Sequence, residues 1–344
     1  MSASTPPARR WSRRPEGSNW GEFGDDDQLG SLNYITPETL RNAASEIVEG
    51  LSFCLSLPLD YPGGSALAPH RFPPTLRATQ RHGQPFFNYR FGLHEGPGFR
   101  DVGCDDVVTL CTQYSTQWDS FAHIGHEFDA DGDGVPELCY YNGFVAGLHI
   151  RSPEERHGSI AMPLGIDNFA ARPIQGRGVM IDFAHHFGRG LRNVGHAELR
   201  EVLERDRILV RPGDILCIHT GFASELLAMN RQVDRERVHR MCAALDGTDP
   251  RLLAWITESR ISAIAADNYA VERIGLGSEA GAESYVPLHY HCLFLRGIPL
   301  GELWHLSDLA AWLRTNGRHS FMLTAPPLRL PGAVGSPVTP VANV

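Results

Sequence analysis

The sequence predicts an α/β protein built on a mixed sheet, and three observations carry that reading. Two apolar runs, Gly178 to Phe183 and Ile215 to His219, are short and bounded by turn residues, as strands buried on both faces are. Between them, Leu199, Val202 and Leu203 share one face of a helix predicted over 195–206. No internal repeat, low-complexity tract or linker divides the chain, so these elements are expected in one domain.

The elements follow in order. Residues 1–16 carry Arg9-Arg10 and Arg13-Arg14 with no apolar run behind them, which predicts a flexible basic tail, not a secretory or twin-arginine signal. Residues 17–34, rich in Gly, Asn and Asp, are expected as an irregular surface segment. Thr36-Pro37 reads as an N-cap followed by a first-turn proline, opening a helix to about Glu49. Residues 51–58 look like a strand. The stretch 59–103 is loop-heavy, with Pro62-Gly-Gly64, Pro73-Pro74 and Gly96-Pro-Gly98; loops that long shape a pocket or an oligomer contact. Val107 to Thr112 is predicted as a short strand leading into residues 113–123. Pro212-Gly-Asp214 turns the chain into the 215–219 strand. A short helix is expected over 250–258, a strand over Ile261–Ala266 ending at Asp267-Asn268, and a late helix over 306–315 with Ser307 as N-cap. The domain is thus expected over 17–330, with 331–344 as a C-terminal extension.

Composition removes several classes of function. A net charge of −9 argues against a general nucleic-acid binder, which needs a basic face. No apolar run approaches the roughly 18–20 residues of a membrane helix, so no membrane partner is expected. The seven cysteines (54, 104, 111, 139, 217, 242 and 292) are scattered, odd in number and free of any C-x-x-C spacing. That pattern reads as reduced thiols in a cytoplasmic protein. No P-loop, Rossmann fingerprint or G-x-S-x-G element is present, so the sequence supports neither a nucleotide nor a serine-hydrolase reading.

Chemistry concentrates in Gln113-Tyr-Ser-Thr-Gln117-Trp-Asp119-Ser-Phe-Ala-His123. The side chains at 113, 117, 119 and 123 share one parity, so an extended strand would present all of them on one face. Trp118 and Phe121 beside them line either a pocket or, more commonly, plain core. A second cluster places His289 and His291 ahead of a Gly-Ile-Pro interruption and Glu302, which lets an element beginning at His289 and a strand ending near Glu302 return to one site. His126, His185-His186 and Asp267 are lesser candidates; for Asp267 a structural turn is the even alternative. Asp129-Ala-Asp131-Gly-Asp133-Gly134 copies the start of a calcium-binding loop. Pro136 then fills the eighth place and Tyr140 the place of the bidentate glutamate, so a polar hairpin loop is expected.

The order T-x-x-D-x-x-x-H around Asp119 and His123, then Asp267-Asn-Tyr-Ala-Val-Glu272, then L-H-x-x-x-L-x-x-x-G-I-P-x-G-E-L-W-x-L from Leu288 resembles the cyclase-like metal-dependent hydrolases. That family includes kynurenine formamidase, isatin hydrolase and trans-dienelactone hydrolase. The resemblance runs from about Ser18 to Leu313 and implies a swivelling β/β/α-type fold with a mixed sheet. It also implies a homodimer or tetramer acting on a small-molecule substrate. Laid on the family's H-x-G-T-H-x-D-x-P-x-H, the two leading histidines fall on Gln113 and Gln117, while the aspartate and last histidine are kept as Asp119 and His123. The late metal ligands fall on His289 and Glu302, with His291 as an alternative. The implied cofactor is a divalent metal, Mn or Zn, with Fe also open; amide oxygens shift the balance toward the harder ions. Such an ion acidifies a bound water toward pKa ~7, and His123 is then the acid/base. The expected reaction is hydrolysis of a small amide, lactam, lactone or ester. The glutamines motivate an alternative: a non-catalytic metal- or small-ligand-binding protein on the same fold.

Overall fold

The computed structural model describes residues 10–155, 162–275 and 282–344, so residues 1–9 of the expected tail lie outside the described residues. At its centre is a nine-stranded mixed sheet. In chain order the strands are β1 Ser52–Cys54, β2 Gln117–Asp119, β3 Gln175–Asp182, β4 Ile215–His219, β5 Ala263–Ala266, β6 Leu300–Glu302, β7 Ser320–Thr324, β8 Gly335–Pro337 and β9 Val341–Asn343. They lie side by side in the order β1-β9-β7-β3-β4-β5-β6-β2-β8. β3 to β6 run parallel, and every other neighbouring pair is antiparallel. The apolar runs of β3 and β4 are buried on both faces, as parallel strands covered by helices must be. Because the four parallel strands point one way, Asp182, His219, Asp267 and Glu302 all arrive at the same edge of the sheet. That edge is where open α/β sheets form ligand sites.

The helices around the sheet include α1 Pro37–Ala44, α2 Phe183–Phe187, α3 His196–Arg205, α4 Phe222–Ala228, α5 Pro250–Ser259, α6 Pro287–His289 and α7 Ser307–Thr315. α6 runs on into a π-helical segment, Tyr290–Arg296. α3 buries Leu199, Val202 and Leu203, as its spacing predicts. Thr36 caps α1 by accepting from the Thr39 amide. α1 ends at Ala44 instead of near Glu49, because the amides of Glu49 and Gly50 donate to the carbonyl of Val344 at 3.0 and 2.8 Å. Ser307 is the first residue of α7 and not its cap; Leu306 holds the cap position and supplies no side-chain bond.

Both chain ends are more deeply used than the sequence predicts. In the segment read as a flexible tail, Trp11 is buried edge-on against Trp20 at 5.7 Å, and the amides of Ser12 and Arg13 donate to Ala130 at 2.8 and 3.0 Å. At the other end, residues 331–344 supply β8 and β9, two strands of the central sheet, and are no mere extension. The predicted 107–112 strand also differs. It is Asp106–Thr109, and it pairs with Thr75–Ala78 in a separate two-stranded ladder, breaking into turns before β2 begins.

Candidate metal centre

β2 is wedged between β6 and β8, with Gln117 opposite Glu302 and Asp119 opposite Leu300. Residues two apart on a strand share a face, so Gln117, Asp119 and Glu302 project together. Trp118 points the other way, packs edge-on against Trp304 at 5.0 Å and donates its indole N–H to Ala325 at 2.8 Å. Position 301 must be glycine for this packing: a Cβ there would sit 2.8 Å from Trp304 Nε1 and 3.0 Å from Trp118. Apolar closure of one face thus sets the polar residues on the other. Phe121 is likewise core, against Tyr141 and Phe169.

The extended row predicted from 113 to 123 is not what forms. The strand covers only Gln117–Asp119, and turns bring Gln113 and His123 back to its end. The four side chains meet all the same. Gln113 Nε2 lies 3.0 Å from Asp119 Oδ1 and 2.7 Å from His123 Nδ1, and His123 Nε2 lies 3.9 Å from Asp119. The contact with an anionic carboxylate orients the Gln113 amide with its NH2 group inward. One hydrogen of that NH2 group can reach Asp119 and the other His123 Nδ1.

The other half of the site comes from α6. Glu272 accepts from the amides of Leu288 and His289 at 2.9 and 3.0 Å and from His289 Nδ1 at 2.7 Å. His289 Nε2 is left facing Glu302 Oε1 at 3.4 Å. Asp119, His289 and Glu302 are all buried, with one ligand atom from each lying within 4.8 Å of the others. His291 does not join them. Two residues along a helix rotate a side chain about 200°, and His291 Nε2 instead meets Thr257 Oγ1 of α5 at 3.0 Å. His291, the alternative ligand the sequence offers, thus lies outside the cluster.

Burial and the nearby charge of Glu302 raise the Asp119 pKa, while His123, His289 and a hydrogen bond from Gln113 pull against them. Burial lowers that of His123 against the charge of Asp119. For His289 burial also acts downward, but hydrogen bonds and charge from Glu272 and Glu302 push it up to about 10. Burial opposes ionisation of Glu302, yet the His289 contact and the Arg71 charge bring it below its ordinary value. Two oxygens, Gln117 Oε1 and Asp119 Oδ2, are buried with no hydrogen-bond partner among the described residues. Each such orphan costs about 1–3 kcal/mol. Two carboxylates, one imidazole and orphaned oxygens fit a divalent cation of hard character.

The remaining candidates fall elsewhere. Asp267 accepts from Thr220 N, Thr220 Oγ1 and Gly221 N, each at 2.7 Å, and so anchors the turn after β4. His126 stacks near Tyr290 and Phe294, and His186 pairs with Asp206 at 2.7 Å. Around the acidic loop, His126–Phe128 and Glu137–Tyr140 form the expected hairpin. Asp129 and Asp131 approach Glu137, but Arg13 already pairs with Asp129 at 2.8 Å and the Ala130 amide with Glu137 at 2.9 Å. Two residues escaped the sequence reading. Glu272 was visible only as the end of a motif, and Arg71, which donates to the Gln113 carbonyl at 2.7 Å, sits in a loop without pattern. Left-handed backbone at Ala270, Val271 and Leu303 (φ 69°, 59° and 55°) brackets the site, a concentration of strain typical of functional loops.

The putative cyclase family profile matches residues 54–273. The chain belongs to the cyclase family. A solved cyclase structure is 31% identical, with a TM-score of 0.75 over 95% of this chain and 97% of that one. Isatin hydrolase A from Labrenzia aggregata, solved with benzyl benzoate bound, is 14% identical with a TM-score of 0.54, covering 87% of this chain and 94% of that one. The Ralstonia solanacearum isatin hydrolase A is 13% identical with a TM-score of 0.52, over 90% and 98%. At these identities the isatin hydrolases share the cyclase fold with this chain. No curated protein matches the sequence. Among the described residues, no helix of this cyclase-family chain is long and apolar enough to cross a membrane.

Proposed function

We propose that this chain is a metal-dependent hydrolase of a small amide, lactam, lactone or ester. The observation that carries the reading is the buried Asp119–His289–Glu302 cluster, with its atoms within 4.8 Å and orphaned oxygens beside it. Asp119, His289 and Glu302 would hold the ion, and Gln117 has an unused Oε1 to offer it. A divalent ion there supplies an acidified water and a positive charge for a carbonyl oxygen. The hard donor set favours Mn²⁺ or Fe²⁺ over Zn²⁺. Glu272 fixes the His289 tautomer. His123 would be the acid/base, taking the proton of that water and returning it to the departing nitrogen or oxygen. The isatin hydrolases that share the fold cleave a cyclic amide, which supports a lactam or related ring as substrate.

Homo-oligomer formation belongs to the same reading. Leu76, Phe87, Leu93, Phe99 and Val102 are all more than half exposed in the 75–109 region, an apolar surface of the kind that partners cover. The free state of all seven cysteines supports a reducing, cytoplasmic setting.

A second reading has its own observation. The Gln117 NH2 group faces Glu302 and Asp119 at 3.2 and 3.4 Å, so the amide occupies the carboxylates as a donor. That arrangement favours a metal- or ligand-binding protein without turnover. Assaying the Mn²⁺- and Zn²⁺-loaded chain on formyl-anilide, isatin-type and dienelactone substrates separates the two. Turnover lost in His123→Ala supports the hydrolase; tight metal with no hydrolysis across the panel leaves the binding protein.

A further inference from the structure

A second constellation lies on the same sheet edge and takes no part in the proposed metal chemistry. Asp182 ends β3, His219 ends β4 and Ser307 opens α7. β3 and β4 pair in parallel with Asp182 directly opposite His219. His219 Nδ1 lies 2.7 Å from Asp182 Oδ1, and its Nε2 lies 2.9 Å from Ser307 Oγ. Asp182 is held on both oxygens: Oδ1 also accepts from the His185 amide at 3.0 Å, and Oδ2 accepts from Arg314 at 2.6 Å. Ser224 Oγ of α4 lies 2.6 Å from Ser307 Oγ.

With His219 as a neutral base, one proton arrangement satisfies this chain of contacts. An ionised carboxylate only accepts, so Nδ1 of His219 carries the hydrogen and Nε2 of the neutral ring is the acceptor. The Ser307 hydroxyl must then donate to Nε2, and Ser224 donates to Ser307. That is the resting state of a serine nucleophile with its base and orienting acid, a constellation recognised by geometry and not by sequence order. Asp182 and His219 are buried, whereas Ser307 and Ser224 keep part of their surface open. Ser307 also stands at the start of a nine-residue helix, whose first-turn amides have no partner within the helix.

We infer that Ser307, with His219 as base and Asp182 as its orienting partner, is a nucleophile able to take the acyl group of a small ester. The site stands two strands from Glu302, roughly 10 Å at the usual strand spacing. In the step, Ser307 Oγ bonds to the ester carbonyl carbon while its proton passes to His219 Nε2. The carbonyl electrons move to oxygen and return as the bond to the leaving alcohol breaks, and the alcohol takes the proton from Nε2. Acyl-Ser307 and free alcohol result. Water attacks by the same route and releases the carboxylic acid.

The test uses the full chain, dialysed against EDTA, and a fluorophosphonate probe read by intact mass and peptide mapping. One adduct on Ser307 is expected, absent from Ser307→Ala. Labelling should slow on the order of 100-fold in His219→Gln, the loss of a general base. Restoring Mn²⁺ after the dialysis should leave the labelling unchanged, which separates this site from the metal centre. The parent protein alone is decisive: no adduct at Ser307 overturns the inference, as does undiminished labelling of a folded His219→Gln variant.

Discussion

Glu272 Oε1 stands 2.7 Å from His289 Nδ1, and this contact decides which ring nitrogen faces the carboxylate cluster. The glutamate also takes the Leu288 and His289 amides, so one buried side chain sets both the start of α6 and the tautomer of its histidine. Partners of this kind typically account for 10–100-fold in metal affinity. Glu272→Gln should weaken Mn²⁺ binding by that factor in calorimetric titration. Unchanged affinity in a folded variant would remove His289 from the ligand set.

The two histidines of the second cluster should behave oppositely. His289→Ala is expected to strip bound metal, measured by elemental analysis after gel filtration. His291→Ala should retain the metal and lose about 1–3 kcal/mol of stability, since Thr257 Oγ1 is left without its buried partner. Equal metal loss in both would return His291 to the site.

On the proposed metal reading, Gln117 is the position that would set metal preference. Replacing it with His adds an imidazole between Asp119 and Glu302, and Gln117→His should raise affinity for Zn²⁺ relative to Mn²⁺. Competition dialysis with both ions reads the ratio, and a ratio unmoved from the parent would contradict the placement.

Much of this was legible in the sequence, for identifiable reasons. β3, β4 and α3 follow from apolar periodicity, which burial enforces directly. The clustering of Asp119, His289 and Glu302, the proposed ligands, follows from motif order. The extended row at 113–123 failed because parity describes a strand and only three residues there form one. The roles of residues 10–16 and 331–344 were hidden because partners such as Ala130 and Gln117 are distant in sequence. The Asp182–His219–Ser307 grouping was invisible for the same reason.

Asp182 gives a pH prediction. Burial acts to raise its pKa, but hydrogen bonds from His219 and the His185 amide and the charge of Arg314 outweigh it and hold the carboxyl below its ordinary value. A carboxyl depressed in the folded state contributes fully above its unfolded pKa and loses that contribution as pH falls through the folded one. The stability gap between parent and Asp182→Asn should therefore hold steady from neutral pH and narrow below about pH 4. Urea midpoints at each pH measure it; a gap that persists through that window would exclude the ion pair as its source.

Trp20 fastens the N-terminal segment to the core. Its ring meets Trp11, Phe128 and Phe294 edge-on, and its indole N–H donates to the Phe294 carbonyl at 2.8 Å. Trp20→Ala should cost about 3–5 kcal/mol in chemical denaturation. A loss below 1 kcal/mol would mean that the segment packs without supporting the core.

β2, which carries Gln117 and Asp119, pairs only with strands made later in the chain, Leu300–Glu302 and Gly335–Pro337. During synthesis the first half of the ligand set is therefore exposed long before its walls exist. A polypeptide truncated before residue 335 would carry every proposed ligand and still lack the strand that closes their cradle. Completion of that cradle therefore waits on a segment that lies more than 200 residues beyond Asp119 in the chain.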